Sequence, residues 1–151
     1  MRQGCTYTMW SILVLIVSID CDVTFTDTNG LVTSPNYPSS YPDHLNCRLS
    51  IQAPDDKIIS LFPVTMDTER FRGRCVDKVD IYNGDTSDSQ NRFSNDTFCG
   101  DVLSPSYTSS GTRMLITFTS DYGTSHSGFA FTYLVHSPQG KKSFSYHSLD
   151  F

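Results

Sequence analysis

The sequence predicts an all-β chain, an antiparallel β-sandwich. Short segments alternate apolar and polar residues, turn-forming residues separate them, and no stretch carries amphipathic helical periodicity. Four of the five cysteines are spread through the same region, as in a disulfide-stapled module.

The elements follow in order. From Asn46 to Ala53, the residues Cys47, Leu49, Ile51 and Ala53 fall on one face. Ile58 to Phe62 is a shorter, more continuous apolar run. From Cys75 to Tyr82, the residues Cys75, Val79 and Ile81 share a face, with Asp77 at the strand's start. Met114, Ile116 and Phe118 alternate with Thr117 and Thr119. Phe129, Phe131, Tyr133 and Val135 form the last stripe, interleaved with Ala130, Thr132 and Leu134. Asn83-Gly84 signals a type I′ hairpin, whose two central residues both need φ > 0. Asn29-Gly30, Pro54-Asp55-Asp56 and Ser110-Gly111 are further turn signals.

The chain has 151 residues, which suits one domain. Its 11 basic and 16 acidic side chains leave it moderately acidic, so it has no global attraction for nucleic acid. Residues 1–20 read as a secretion signal. Arg2 is the only charge before Asp20, and the apolar core Met9 to Ile19 is 11 residues long, short of the roughly 20 that cross a bilayer. No second apolar stretch follows, so the expected product is secreted and extracellular, with no membrane span. The domain proper covers 21–136, and the polar segment 137–151, with Lys141-Lys142, reads as a flexible tail.

Cys5 falls within the signal. Cys21, Cys47, Cys75 and Cys99 remain, an even number in a secretory context. Four cysteines allow three pairings; the simplest is sequential, each bridge closing a loop of about 25 residues worth roughly 3 kcal/mol. Zinc is disfavoured, because no close C-x-x-C pair exists and the histidines lie far off.

Several motifs, taken in order, resemble those of the CUB domain family. Gly30 to Pro42 contains Ser34-Pro-Asn-Tyr-Pro38. Cys75-Val-Asp77 leads to Val79-Asp-Ile-Tyr-Asn-Gly84, and Phe98-Cys-Gly100, Ser120-Asp121 and Gly128-Phe129 follow. The resemblance runs from about Cys21 to Val135. It implies two facing sheets of jelly-roll type and sequential disulfides. One departure is Leu49, where many members carry Trp.

The resemblance also implies a calcium site. Calcium-binding members use a Glu six residues before the third domain cysteine, an Asp two after it, and the Asp of a Ser-Asp pair. These positions hold Glu69, Asp77 and Asp121. Tyr41 matches a supporting tyrosine that hydrogen-bonds a ligating carboxylate. The supporting loop is Tyr122, Gly123 and Thr124. Thr124 stands where members often carry Asn, and offers a hydroxyl, a carbonyl or room for a water. Without the resemblance, the three acids read as solvated loop-end carboxylates.

The expected function is non-catalytic: calcium-dependent recognition of an extracellular protein that presents a Lys or Arg to the ion-ordered acids. Arg70, Arg72 and Arg74 crowd the loop between Glu69 and Cys75. They suggest an alternative, spermadhesin-like role in acidic-glycan binding or self-association. A piece of a larger CUB-containing protease or receptor is a further reading. No H-E-x-x-H and no glycine-framed serine nucleophile appears. His126 reads as a loop histidine, and Asn95-Asp96-Thr97 is an N-glycosylation sequon.

Overall fold

The computed structural model describes residues 19–139. The signal segment up to residue 18, Cys5, and the tail from residue 140 lie outside the described residues. Among the described residues ten strands occur: β1 Ile19–Phe25, β2 Asn29–Thr33, β3 Leu45–Gln52, β4 Ile58–Asp67, β5 Arg70–Phe71, β6 Arg74–Cys75, β7 Lys78–Asn83, β8 Tyr107–Thr108, β9 Arg113–Thr119 and β10 Gly128–His136. One sheet has the order β1-β3-β9-β7 and the other β2-β10-β4-β8, while β5 and β6 form a small separate hairpin.

The predicted stripes are the buried faces. Leu45, Cys47, Leu49 and Ile51 of β3 point inward with Val79 and Ile81 of β7 and Met114, Ile116 and Phe118 of β9. Val32, Ile59, Leu61, Phe129, Phe131 and Tyr133 meet them from the other sheet. Period-two alternation fixes this register, since a one-residue slip would turn each stripe to solvent. Leu49, at the departure from the family's Trp, is 3% exposed and still fills the core.

Among the described residues the strand pairs are antiparallel with one exception. β1 runs parallel to β3, with Cys21 directly opposite Cys47. Parallel neighbours need a long crossover; here the chain passes through β2 in the opposite sheet before returning as β3. The disulfides are Cys21–Cys47 and Cys75–Cys99, the sequential pairing.

Three local expectations change. The run at Ile58 to Phe62 continues as β4 to Asp67. The register shifts opposite Ala130/Phe131, and Pro63 sits at this irregularity, where a missing N–H is tolerated. Asn29-Gly30 begins strand β2 and makes no turn; a Cβ on Gly30 would lie 2.8 Å from the Tyr133 ring, so glycine lets that ring pack against the strand. Asn83-Gly84 forms no two-residue hairpin. Asn83 ends β7 opposite Met114 of β9, and its side-chain oxygen accepts the Ser110 N–H at 2.9 Å. After Gly84 the chain makes a wide loop through a short 3₁₀ turn, Ser89–Asn91. It returns beside β7 through the bridges Tyr82 with Arg92 and Val79 with Phe98. The tight turn with both central residues at positive φ lies instead at Arg72 (49°) and Gly73 (80°), between β5 and β6.

Phe118 links the core to the end of the sandwich where β9 stops. It is 0% exposed and meets Tyr41 and Phe129 edge-on, at 5.0 and 5.2 Å between ring centroids. Phe118→Ala should lower unfolding stability by about 3–5 kcal/mol in urea denaturation. A loss under about 1 kcal/mol would mean that this layer is loosely packed.

Candidate metal centre

Three loops converge at one end of the sandwich. Glu69 follows β4, Asp77 precedes β7, and Asp121 follows β9. One ligand oxygen from each carboxylate lies within 4.8 Å of the others. The sequence-predicted acids, 52 positions apart at the extremes (69 to 121), are thus brought together.

Asp77 is buried, at 1% exposure, and both its oxygens are occupied. Oδ2 accepts the Tyr41 hydroxyl at 2.5 Å, and Oδ1 accepts the Asp121 N–H at 3.0 Å. The Tyr41 oxygen in turn accepts the Glu69 N–H at 3.0 Å, so one phenol joins two of the three acidic positions. Burial first, and then the hydrogen bond to Asp77, push the Tyr41 hydroxyl well above the ordinary tyrosine range. It therefore stays a donor at physiological pH.

Backbone bonds set the positions of the loops. The Glu69 carbonyl accepts the N–H groups of Val76 and Asp77, both at 3.3 Å, closing the β5–β6 hairpin at its base. The Asp121 carbonyl accepts the His44 N–H at 2.8 Å, and Asp121 Oδ1 accepts the Gly123 N–H at 2.7 Å. Ser120 ties the Asp121 loop inward, accepting from Leu45 N–H at 2.9 Å and donating to the Pro42 carbonyl at 3.0 Å.

Two observations bear on whether a cation fits. Glu69 Oε2 is buried with no hydrogen-bond partner among the described residues, which is costly for a carboxylate oxygen unless something positive meets it. Gly123 keeps the space beside it open: a Cβ there would lie 2.9 Å from Asp121 Oδ1 and 3.4 Å from Glu69 Oε2. The donors are all oxygen, the set that suits a hard divalent cation such as calcium over zinc. Tyr122 and Thr124 are both exposed, Tyr122 at 79%, and the Tyr122 ring leans toward His44 at 6.1 Å.

The arginines stand on the hairpin between two of the acids. Arg72 lies over the Phe71 ring at 5.1 Å, and Arg70 donates to the Gly73 carbonyl at 3.5 Å. Among the described residues none of the three forms an ion pair. Asn95 is exposed, in the loop that returns beside β7.

Two loop braces escaped the sequence reading. Asp67 accepts the Ser127 hydroxyl at 2.9 Å and lies 3.1 Å from His126 Nδ1. Asp43 accepts the Ser125 hydroxyl at 2.8 Å. Partners 60 and 82 residues apart leave no local pattern to find them by.

The family model for the CUB domain matches residues 21–133. The chain belongs to the CUB domain family. It is 34% identical over 116 residues to blastula protease 10 of Paracentrotus lividus, covering 77% of this chain and 19% of that protein. It is 36% identical over 105 residues to human procollagen C-endopeptidase enhancer 1 (69% of this chain, 23% of that one). Human neuropilin-2 is 36% identical over 108 residues (70% and 11%). The chain thus spans less than a quarter of these relatives' lengths. Among solved structures, the extracellular region of zebrafish Gpr126/Adgrg6 superposes with a TM-score of 0.67 at 30% identity, covering 80% of this chain and 15% of that one. The Ca2+-bound MASP-1 CUB2 domain shares the fold, with a TM-score of 0.63 at 24% identity, covering 74% and 96%. CUB domains are in general non-catalytic modules of extracellular proteins that bind other proteins.

Tyr41→Phe should cost about 1–3 kcal/mol in denaturant unfolding, because it leaves the Glu69 N–H and Asp77 Oδ2 short of a partner. The raised tyrosines set a second expectation. Tyr41, Tyr107 and Tyr133 hold their protons more tightly folded than unfolded, in each case first through burial. The folded state therefore binds more protons once the unfolded chain begins to ionise, and stability falls as pH rises above about 10. Denaturant midpoints across the alkaline range should show that fall, reduced in Tyr41→Phe.

Proposed function

We propose that this chain is a secreted, non-catalytic CUB module that recognises an extracellular protein through a calcium-ordered acidic surface. The observation that carries this reading is the orphaned, buried Glu69 Oε2 inside a triad of carboxylates. Glu69, Asp77 and Asp121 are the proposed ligands, and calcium would neutralise their mutual repulsion and pin three loops together. Tyr41 orients Asp77, while Gly123 and the carbonyl or hydroxyl of Thr124 complete the loop. A Lys or Arg of the partner would meet carboxylate oxygens facing outward, in charge-assisted hydrogen bonds.

Residues 21–136 form the proposed binding unit, behind a signal in 1–20 and ahead of a tail in 137–151. Asn95, exposed within its sequon, is the proposed glycosylation site. The family relationship supports an extracellular protein-binding role, and the oxygen-only donor set supports calcium.

Calorimetric titration with calcium should give saturable binding in the folded chain, and Glu69→Ala with Asp121→Ala should abolish it. A surface bearing a lysine-rich peptide should then retain the protein in calcium and release it in chelator. Absence of calcium binding at millimolar concentration in the folded chain would overturn the reading.

A further inference from the structure

A groove of about 430 Å³ lies beside the arginine hairpin, lined by Arg70, Gly73, Asp96, Phe98, Val102 and both cysteines of the Cys75–Cys99 bridge. Its size is in the range of ligand-binding clefts. We propose that this groove docks a peptide segment of a protein partner in which one carboxylate stands beside a large apolar side chain. This surface is separate from the acidic triad and takes the opposite charge.

Three observations select that occupant. First, Arg70 lines the groove, and among the described residues its guanidinium is bonded only to the Gly73 carbonyl, at 3.5 Å, with no carboxylate paired to it. A planar guanidinium so placed is free to take a carboxylate in two parallel bonds. Its side chain runs beside Gly100, where a Cβ would lie 3.2 Å from Arg70 Cδ, so glycine leaves room for it there. Second, the lining includes apolar side chains: Phe98 is half-buried and Val102 is 56% exposed, with Leu103 next to it in the chain at 48%. Exposed aliphatic side chains of this size, gathered beside a cation, are expected where an apolar residue is to be covered. Third, Asp96 is exposed and lines the same groove. A sulfated glycan carries anions along its whole length and would set one against Asp96. A peptide with one acid and one apolar residue does not.

The hairpin geometry divides the labour among the arginines. Arg70 pairs across the strands with Cys75, while Phe71 pairs with Arg74, so these pairs point to opposite faces. Arg70 is the contact in the groove. Arg72 at the turn and Arg74 on the reverse face supply positive potential that draws in an acidic segment.

The probe is a fluorescently labelled glycine-serine peptide carrying one glutamate beside one leucine, titrated by anisotropy in calcium-containing buffer at low salt. Saturable binding is expected. Arg70→Gln and Val102→Asp should each weaken it about tenfold, and a glutamine in place of the peptide's one glutamate should abolish it. Val102 is a surface side chain, so Val102→Asp should keep the fold, and near-UV circular dichroism of each variant confirms this. Absence of saturable binding to the folded wild type would overturn the proposal. So would binding that neither substitution weakens, or a heparin oligosaccharide that displaces the peptide and binds equally well to Val102→Asp. The calcium reading stands or falls separately, since the probe carries no cation for the acidic triad.

Discussion

Three carboxylates within 4.8 Å of one another are the constraint on which the rest of this molecule depends. Like charges at that distance repel, by several kcal/mol where water is partly excluded (about 4 kcal/mol at 4 Å for an effective dielectric constant of 20). Asp77 is buried as well, which adds a desolvation cost. The structure offsets part of this with donors: a phenol and a backbone amide for Asp77, an amide for Asp121. Glu69 Oε2 is left over, and it is the atom whose environment a cation would complete.

The fold supplies the rigidity that such crowding requires. Tyr41 has its ring against Phe118 in the core and its hydroxyl between Glu69 and Asp77. Displacing one acid therefore disturbs the layer where the two sheets meet. The Cys75–Cys99 bridge acts nearby. It ties the hairpin between Glu69 and Asp77 to the strand-like return at Gly100, which exchanges backbone hydrogen bonds with Thr68 in both directions. The acidic loops and the arginine hairpin thus share one base while presenting opposite charge on different flanks.

Much of this was legible in the sequence, for physical reasons that can be stated. The inward residues of β3, β9 and β10 repeat every second position because a half-buried strand must, and their stripes became the core. The three acids are legible only through the resemblance to the CUB family, whose calcium-binding members carry acids at the offsets from Cys75 and Ser120 that Glu69, Asp77 and Asp121 occupy. Other features depend on tertiary partners. The parallel pairing of β1 is set by its crossover through the second sheet. Asn83-Gly84 carries the local chemistry of a hairpin, yet the Asn83 side chain is committed to the loop at Ser110 and stays in the strand. Arg72-Gly73 carries a weaker turn signal and makes the tight turn, because the bonds between Glu69 and Asp77 bring the ends of its loop together. The braces from Asp67 and Asp43 join residues far apart in the chain, and no spacing rule announces them.

The most direct test of the central claim is a crystal structure of the chain grown in calcium. The account predicts an ion about 2.3–2.6 Å from oxygens of Glu69, Asp77 and Asp121, with Glu69 Oε2 in its coordination sphere and Tyr41 still bonded to Asp77. Density showing only water among the three carboxylates at millimolar calcium, with Glu69 turned out to solvent, would contradict it.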